Sequence, residues 1–376
     1  MRILHLSHDG LPDLRIEKAA MTAVRNGNEV FFAGKRPQQG YINSVFSKIL
    51  EVDWMVGFKI DHVSLAMLGL PHFWEIVKKQ VRRAIEEVRP DIIHAHNIYS
   101  AKMALEFEIP FVYDDHEYWS KHIALIRMRR SNSSSLRNLV KKLGRHYVAR
   151  LWPIWEEEIV SSVPVITVSE TIIDDFRQSY HSNHLFLVPN YPSLYETKDF
   201  PNPRMNSTLT SIYAGADDLS KAIPHRNLHG FPELFESNDI GNLVMIGPKG
   251  QSSPKVRYTG FVKRDQMYSE MAAASIGILP WQSHWFHKYS NPNKVYEYAH
   301  AGLFVMCTSS FEVVTRTLGE NCVTFDDYDS LVSQLINMKN DMDELYNKRL
   351  KVFEFARSKL VWENNEKNIL AAYQAC

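Results

Sequence analysis

A lysine and a glutamate stand three residues apart, at Lys294 and Glu297, directly after the segment Asn291-Pro292-Asn293. The apolar pattern predicts a helix over 294–301, which places both side chains in its first turns. The free N–H groups and positive dipole of a helix start attract anions, and a lysine adds a point charge. A carboxylate accepts hydrogen bonds from two vicinal hydroxyls. Taken alone, the pattern suits equally a site for a ligand with phosphate and diol groups and a surface ion pair worth about 0.2–0.5 kcal/mol.

A second group of polar residues follows two predicted strands of the first half. His94 and His96 are two positions apart, so they project from one face of their strand, and Asp114-Asp115-His116-Glu117 follows the next strand. This cluster is too polar for an ordinary core, which predicts an accessible, functional His116. Histidines beside carboxylates also suit a metal, but the pattern has low specificity and we expect no metal. We expect substrate contacts from His96 and Asn97, and a packed His94.

Size and composition set the limits of the fold. The chain has 376 residues, 45% of them hydrophobic and 23% charged, and its formal net charge is zero. This predicts two globular domains without a global field that would attract nucleic acid. The three cysteines are odd in number and form no C-x-x-C pair, which favours a reducing, cytoplasmic location. The polar start of the chain and the lack of a long apolar stretch predict neither a signal peptide nor a transmembrane helix.

Short β-branched runs alternate with segments of helical periodicity along the whole chain, which predicts parallel sheets covered by helices. Helices are expected at 17–26 and 73–88, and the segment 331–375 is expected to break into two or three helices. We predict an N-terminal domain over 1–195, a C-terminal domain over 208–355 and a final helix, 356–376, that packs toward the first domain. The predicted strands are 3–6, 30–33, 92–95, 111–113, 165–168, 185–188, 211–214, 243–246, 256–259, 276–279, 303–307 and 322–325.

Two nucleotide-binding fingerprints are missing from the sequence. The first strand is followed by Ser7-His8-Asp9-Gly10-Leu11-Pro12 rather than G-x-G-x-x-G, which disfavours a dehydrogenase. No G-x-x-x-x-G-K-[ST] motif is present, which disfavours a P-loop ATPase. Two Rossmann-like domains without these motifs predict a ligand site in a cleft between them, at the carboxyl ends of the strands.

A series of short motifs, in order and spacing, resembles the retaining glycosyltransferases of family four. The resemblance covers nearly the whole chain. It implies an α/β fold of two Rossmann-like domains facing each other across a cleft, termed GT-B, and transfer of a sugar from a nucleotide-diphosphate donor with retention and without a metal cofactor. The motifs are Pro90-Asp91-Ile92-Ile93-His94-Ala95-His96-Asn97, Tyr113-Asp114-Asp115-His116-Glu117, Val165-Ile166-Thr167-Val168-Ser169-Glu170, Val188-Pro189-Asn190, Tyr258-Thr259-Gly260-Phe261, Ile276-Gly277-Ile278-Leu279-Pro280 and Asn291 to Gly302.

The resemblance assigns roles to individual residues. His116, Lys294 and Glu297 are the expected catalytic residues: His116 touches the donor sugar, Lys294 the diphosphate and Glu297 the ribose. The acceptor is expected at Arg15, His96, Asn97 and Glu117. The expected donor-binding residues are Gly215, Lys221, Arg226, Gly247, Gly260, Phe261, Tyr289, Asn291, Asn293, Lys294 and Glu297.

The sequence departs from the family pattern at two places. Tyr289 stands where the family commonly has a second glutamate, so donor-hydroxyl recognition must differ. The basic pair that follows Gly215 in the family is displaced; Lys221 and Arg226 are the candidates, with Lys263 or Arg264 as alternatives. These departures keep two other functions open, a nucleotide-sugar epimerase of similar fold and a catalytically silent scaffold.

The segment 121–155 holds nine lysines and arginines and no aspartate or glutamate. Its apolar stripe predicts a helix with a basic face. Such a helix either packs on the domain with its basic face in solvent or attaches to an anionic membrane surface or lipid-phosphate acceptor. We therefore expect a cytoplasmic protein, peripheral at the membrane in the second case. The acceptor is a glycan, a lipid-linked sugar or a small molecule, and no nucleic-acid partner is expected.

Overall fold

The chain divides into two α/β units in a computed structural model, which describes residues 1–55, 68–128, 136–215 and 224–376. The first unit comprises Met1–Pro189 together with Asn365–Cys376. The second unit comprises Asn190–Asn364. Residues 190–195, predicted as the end of the N-terminal domain, and residues 356–364, predicted as part of the final helix, belong to the second unit.

The first unit contains a seven-stranded parallel sheet with the strand order β3-β2-β1-β4-β5-β6-β7. This is the doubly wound order, in which the chain reverses direction across the sheet between β1 and β4, and ligands bind at the carboxyl ends of strands at such a reversal. The strands are β1 (Arg2–Gly10), β2 (Glu29–Lys35), β3 (Lys48–Glu51), β4 (Ile92–His96), β5 (Phe111–Asp115), β6 (Val165–Thr167) and β7 (Leu185–Leu187).

Six helices connect these strands and a seventh comes from the end of the chain, among the described residues. The first begins after Asp13, whose carboxylate accepts hydrogen bonds from the backbone N–H groups of Arg15 and Ile16. The helices are α1 (Leu14–Arg25), α2 (Pro71–Val88), α3 (Asn97–Ala104), α4 (Trp119–Met128), α5 (Leu136–Val160) and α6 (Glu170–Tyr180), and the final helix Glu366–Gln374 is named α14 in chain order.

The second unit repeats the same topology with six parallel strands in the order β10-β9-β8-β11-β12-β13. The reversal lies between β8 and β11. The strands are β8 (Thr210–Ala214), β9 (Asn242–Ile246), β10 (Val256–Gly260), β11 (Ile276–Leu279), β12 (Phe304–Thr308) and β13 (Cys322–Phe325). The helices are α7 (Leu194–Thr197), α8 (Phe231–Ser237), α9 (Arg264–Ala273), α10 (Asn293–His300), α11 (Glu312–Leu318), α12 (Tyr328–Asn340) and α13 (Met342–Lys359).

The structure confirms the predicted fold class and every predicted strand to within a few residues. It adds one strand, β3, that the sequence pattern missed. This strand lies at the edge of the sheet, and its four residues, Lys48 to Glu51, show no alternation of polar and apolar or of exposed and buried side chains. The segment 331–375 contributes to three helices, α12, α13 and α14. Asp341 separates the first two, and its carboxylate caps the start of α13. No helix among the described residues is long and apolar enough to cross a membrane.

Helix α14 lies in the first unit, although the chain reaches it from the second. Glu366 accepts hydrogen bonds from Thr22 Oγ1 (3.1 Å) and Arg25 Nη1 (3.0 Å) of α1. Asn368 Nδ2 donates to the carbonyl oxygen of Leu187 at the end of β7 (2.8 Å). The last helix is therefore tied to both ends of the first unit's sequence.

Candidate active site

Lys294 lies at the strand reversal of the second unit, held between two aromatic rings. Its Nζ donates a hydrogen bond to Tyr213 Oη (3.1 Å) and lies 4.4 Å from the centre of the Tyr213 ring and 4.6 Å from that of Trp281. Tyr213 belongs to β8, and Trp281 follows β11 by two residues. A desolvated ammonium over aromatic faces gains about 1–2 kcal/mol. The aromatic pair therefore fixes a cation where this topology places ligands.

A second predicted cation, Arg226, shares the same indole ring. Its guanidinium carbon lies 5.5 Å from the centre of the Trp281 ring, and Arg226 is exposed at the end of the short turn Pro224–Arg226. Lys221, the other predicted diphosphate residue, lies outside the described residues. The sequence predicted the two cations but missed Trp281. Its position could have been a signal, because it follows Leu279, the last residue of β11, and Pro280.

Helix α10 presents Lys294 and Glu297 because its other face is buried. Tyr298 packs into the core so closely that a Cβ at Gly277 would lie 2.4 Å from its ring. Its hydroxyl accepts a hydrogen bond from the backbone N–H of Ala214 (2.8 Å), which ties α10 to the end of β8. The predicted helix start is confirmed, with Asn293 exposed at its first position.

Glu297 is engaged by an arginine that the sequence pattern did not assign to it. Its Oε1 accepts a hydrogen bond from Arg264 Nη2 (2.9 Å), and the same nitrogen donates to Glu196 Oε1 (2.7 Å). Arg264 Nε donates to Tyr268 Oη (2.5 Å). Arg264, an alternative prediction for the diphosphate, is thus bound by carboxylates. These contacts join residues 33 and 68 positions apart, which no local pattern reveals.

Three predicted glycines end neighbouring strands at the same edge of the second sheet. The N–H of Gly215, after β8, donates to the carbonyl of Ile246 (3.0 Å), and that of Gly247, after β9, donates to Gly260 at the end of β10 (2.9 Å). Gly247 and Gly260 have φ values of +100° and +65°, which other residues rarely adopt. Phe261 follows with 73% of its surface exposed. These glycines and the exposed Phe261 therefore lie together at the carboxyl ends of β8, β9 and β10.

The segment before α10 carries the remaining predicted donor residues. Tyr289 is half-buried at the end of the turn Trp285–Tyr289, with Lys288 Nζ 5.6 Å from its ring centre. Asn291 is half-buried and precedes the Pro292 cap of α10. The structure places these residues in one loop that leads directly to Lys294.

In the first unit, His116 lies beside a carboxylate that an arginine holds. Asp114 Oδ2 lies 3.4 Å from His116 Nε2. Arg15 donates from Nη2 (2.6 Å) and Nε (3.1 Å) to Asp114 Oδ1, and from Nη1 to the carbonyl of Val188 (2.8 Å). Burial raises the pKa of the Asp114 carboxyl, but Arg15 and His116 outweigh it and keep that pKa well below its usual range. Burial lowers the pKa of His116, but Asp114 outweighs it and raises the pKa above the ordinary value.

Of the polar cluster at the end of β5, Asp114, Asp115 and most of His116 are buried, and only Glu117 is exposed, so the prediction that the cluster is too polar for the interior is wrong for its first three residues. Asp114 and Asp115 are inaccessible to solvent, and the side chain of His116 is 12% exposed. Charge pairing explains Asp114, while Asp115 accepts hydrogen bonds from Tyr113 Oη (2.8 Å) and the N–H of Tyr118 (3.2 Å). Arg15, distant in sequence, thus pairs with Asp114, whereas near neighbours in the chain satisfy Asp115.

Three further histidines stack beneath His116. His5 Nδ1 and His96 Nε2 share a hydrogen bond (2.9 Å), as do His96 Nδ1 and His116 Nε2 (3.3 Å). His94 contacts Asp114 Oδ2 (3.3 Å) and the Tyr373 hydroxyl from α14 (2.7 Å). His94 is packed, as predicted. His96 is also fully buried, which argues against its predicted contact with the acceptor.

Two sets of these side chains have the composition of a metal site. The ligand-type atoms of His5, His94 and His96 lie within 4.8 Å of one another, as do those of His96, Asp114 and His116. The rings of His5, His96 and His116 hydrogen-bond in series, whereas His94 bonds to Asp114 and Tyr373, and Asp114 is charge-paired with Arg15. These side chains therefore form a hydrogen-bonded network.

The other predicted acceptor residues differ in accessibility. Arg15 is buried beneath Asp114, which argues against direct contact with the acceptor. Asn97 is nearly buried in a left-handed conformation (φ +64°), and its Oδ1 accepts a hydrogen bond from Trp119 Nε1 (3.2 Å). Glu117 is exposed, with Oε2 3.0 Å from His122 Nδ1. Of this set, Glu117 alone has the exposure expected of a surface contact, among the described residues.

A buried acid below this site was not predicted. Glu156 of α5 accepts hydrogen bonds from the N–H of Ser120 and from Tyr180 Oη (both 3.0 Å). Burial, reinforced by the nearby Asp115, raises the pKa of Glu156 to about 8. Burial also raises the pKa of Asp115 to about 6. The sequence placed Glu156 just after a basic segment, with no sign that a long helix would bury it.

Comparisons with known proteins show which family and which folds this chain resembles. The family model described as Glycosyltransferase Family 4 matches residues 24–191. Sucrose-phosphate synthase from Thermosynechococcus elongatus superposes with a TM-score of 0.71 over 99% of this chain and 98% of its own, at 11% identity. The UDP complex of Anabaena HepE gives 0.65 over 100% of both chains at 11% identity. A search of curated proteins by sequence found no match.

A third structure, WaaG, described as a glycosyltransferase involved in lipopolysaccharide biosynthesis, gives a TM-score of 0.63 over 100% of this chain and 99% of its own, at 15% identity. The fold is therefore that of the GT-B glycosyltransferases. The family match in the first half confirms the resemblance to glycosyltransferase family four that the sequence motifs predicted, and it supports a glycosyltransferase function.

Proposed function

We propose that this protein is a retaining glycosyltransferase that transfers a sugar from a UDP- or GDP-sugar, without a metal ion, to a glycan, lipid-linked or small-molecule acceptor. The observation that carries the proposal is the placement of Lys294 and Arg226 on one indole ring, at the strand reversal and beside the start of α10. Two fixed cations and a helix N-terminus form a site for a diphosphate. The structures of HepE with UDP and with UDP-glucose support a nucleotide-sugar donor.

In this mechanism the donor is bound by the second unit. Lys294, Arg226 and the N–H groups at the start of α10 balance the diphosphate charge, which grows as the bond to the sugar breaks. Glu297 accepts hydrogen bonds from the ribose hydroxyls. The glycines at the ends of β8, β9 and β10 let the backbone approach the nucleotide, and Phe261 provides an exposed ring for the base.

Retention is proposed to follow from attack on the face from which the diphosphate leaves. The acceptor hydroxyl gives its proton to the departing diphosphate, and the transition state resembles an oxocarbenium ion. His116, with its raised pKa, donates a hydrogen bond to the donor sugar and orients it. In this proposal Lys294 and Arg226, rather than a metal ion, provide the positive charge that stabilises the departing diphosphate.

The acceptor is proposed to belong to cell-surface polysaccharide or glycoconjugate synthesis, at an anionic membrane surface. The segment proposed to contact that surface, 121–155, includes 129–135, which lie outside the described residues, as do several side chains of α4 and α5. The proposal therefore rests on the basic composition of the segment.

The test is a panel of UDP- and GDP-sugars with released nucleotide as readout and the anomeric configuration of the product determined by NMR. The proposal predicts release with one nucleotide class, retention, and undiminished rate in EDTA. Conversion of a donor without any acceptor would instead indicate an epimerase. A silent scaffold would show no thermal stabilisation by UDP or GDP, whereas a ligand at 100 times its Kd adds about 2.7 kcal/mol to the free energy of unfolding.

A further inference from the structure

The Arg264 guanidinium bridges two carboxylates from different helices of the second unit. Arg264 is the first residue of α9, Glu297 lies in α10 and Glu196 in α7. One nitrogen, Nη2, serves both acids, at 2.9 and 2.7 Å. Charge-assisted bonds of this kind are about twice as strong as neutral ones. The bridge therefore joins three elements through one side chain.

The exposure of the three side chains shows why the bridge matters. Glu297 is 14% exposed, Glu196 is 12% exposed and Arg264 is 38% exposed. Two carboxylates taken largely out of water repel each other and favour protonation unless a cation lies between them. Arg264 is the cation that lies between Glu297 and Glu196.

Glu196 and Arg264 are each held by a further hydrogen bond. Glu196 Oε2 accepts a hydrogen bond from the N–H of Ser193 (2.8 Å), and Ser193 Oγ accepts one from the N–H of Glu196 (3.3 Å), which forms a capping box on α7. Arg264 is held by the hydroxyl of Tyr268 one turn along α9. The Glu297 carboxylate is therefore attached through Arg264 to a rigid support rather than to a mobile surface arginine.

We propose that Arg264 and Glu196 are positioning residues, which orient the Glu297 carboxylate so that it binds the ribose hydroxyls of the nucleotide. This inference rests on the proposed function, because it takes Glu297 as the ribose ligand. It assigns a role to Glu196, a residue of the segment 190–207, and gives Arg264 a role other than binding the diphosphate. The consequence is selectivity for ribose over deoxyribose in the nucleotide.

The experiment measures Kd by calorimetry for UDP, GDP and their 2′-deoxy forms. The variants are E297A, R264M, R264K, E196Q and the double variant R264M/E297A. Matched controls are R257M and E270Q, because Arg257 and Glu270 form another arginine–glutamate pair of the second unit, with Nη1 3.0 Å from Oε1. Circular dichroism and thermal unfolding establish that each variant is folded.

We expect the wild type to bind the ribonucleotide about tenfold or more tightly than its 2′-deoxy form, since a lost hydrogen bond to a charged group costs at least that much. E297A removes the preference, and R264M and E196Q reduce it at least about threefold. R264K, which keeps the charge, falls between R264M and the wild type. R257M and E270Q keep the wild-type preference. The double variant R264M/E297A shows the same preference as E297A alone, because Arg264 acts on the preference only through Glu297.

Three outcomes would overturn the inference. If R264M and E196Q keep the wild-type selectivity while E297A loses it, the bridge does not position Glu297, and the proposed function stands. If R264M weakens ribo and deoxy forms equally, Arg264 contacts the phosphates directly. If the wild type binds neither UDP nor GDP, or E297A behaves as the wild type, the proposed donor site itself fails and the inference with it.

Discussion

His116 Nε2 lies 3.4 Å from Asp114 Oδ2, so an ionised carboxylate adjoins the one histidine of the stacked group that retains some exposure, among the described residues. The carboxylate is held by Arg15, which prevents it from turning toward solvent. Asp114 therefore raises the pKa of His116 and favours its protonated, hydrogen-bond-donating form. The protonation of His116 therefore depends on a residue that touches no substrate in the proposed mechanism.

We predict that D114N lowers the pKa of His116. The pKa of His116 is higher in the folded than in the unfolded state, so its pairing with Asp114 stabilises the fold. This stabilisation is complete below the unfolded-state pKa of the histidine and is lost as pH rises through its folded-state pKa. Removing the carboxylate leaves burial, which lowers the pKa, as the dominant effect. NMR titration of the His116 ring, assigned with H116N, measures the shift. D174N, at an exposed aspartate, is the control, and an unchanged His116 titration in D114N would contradict the prediction.

Lys294 is predicted to govern turnover rather than folding. K294A removes a cation that faces the leaving diphosphate, and we expect turnover to fall at least about tenfold, as for loss of one charged group that stabilises a transition state. K348A, in α13, is the matched control and is expected to keep the wild-type rate. Released nucleotide measures turnover, and circular dichroism measures folding. Wild-type turnover in K294A would remove this residue from the mechanism.

The buried acid Glu156 predicts an unusual pH dependence of stability. A carboxyl whose pKa is raised to about 8 by burial stabilises the fold while protonated, and this contribution is lost as pH rises toward that value. E156Q resembles the protonated acid. We expect E156Q to be more stable than the wild type at pH 9, by at least about 1 kcal/mol, and to show little difference at pH 5.

Urea unfolding at both pH values measures the effect of E156Q. E157Q, at the neighbouring exposed glutamate, is the control and is expected to follow the wild type. A gain in E156Q that is equal at pH 5 and pH 9 would show that packing rather than titration is responsible.

Tyr373 is predicted to hold the C-terminal helix against the histidine group. Its buried hydroxyl hydrogen-bonds to His94 Nδ1 (2.7 Å). Y373F leaves that nitrogen without this partner in the interior, which costs about 1–3 kcal/mol. Urea unfolding of Y373F measures the loss, with Y195F, at an exposed tyrosine, as the control. Equal stability of the two variants would show that water or another group replaces the hydroxyl.

The sequence predicted the features that depend on local pattern. Strands were recognised by apolar runs, and their parallel order followed from the alternation with helices. The start of α10 followed from Pro292 and the apolar spacing after it. The glycines at the ends of β8, β9 and β10 were named as donor-binding residues through the family resemblance.

What the sequence missed depends on contacts between residues far apart in the chain. Arg15 and Asp114 are 99 positions apart, so the burial of the carboxylate could not be inferred from its acidic neighbours. The hydrogen bond between Arg264 and Glu196 joins α9 to the short helix α7, and the two residues are 68 positions apart. Local composition marks such groups as exposed, whereas the fold gives each a partner of opposite charge.

The location of α14 in the first unit determines when that unit can be completed during synthesis. Residues 365–376 leave the ribosome after the whole of Asn190–Asn364, yet they supply the Tyr373 hydroxyl to His94 and the Glu366 carboxylate to Arg25. The second unit, which needs no later residues, is free to fold while the first still lacks its last helix. A chain truncated after Asn364 would therefore keep every described strand and helix of the second unit but lack the side chains that complete the histidine group of the first.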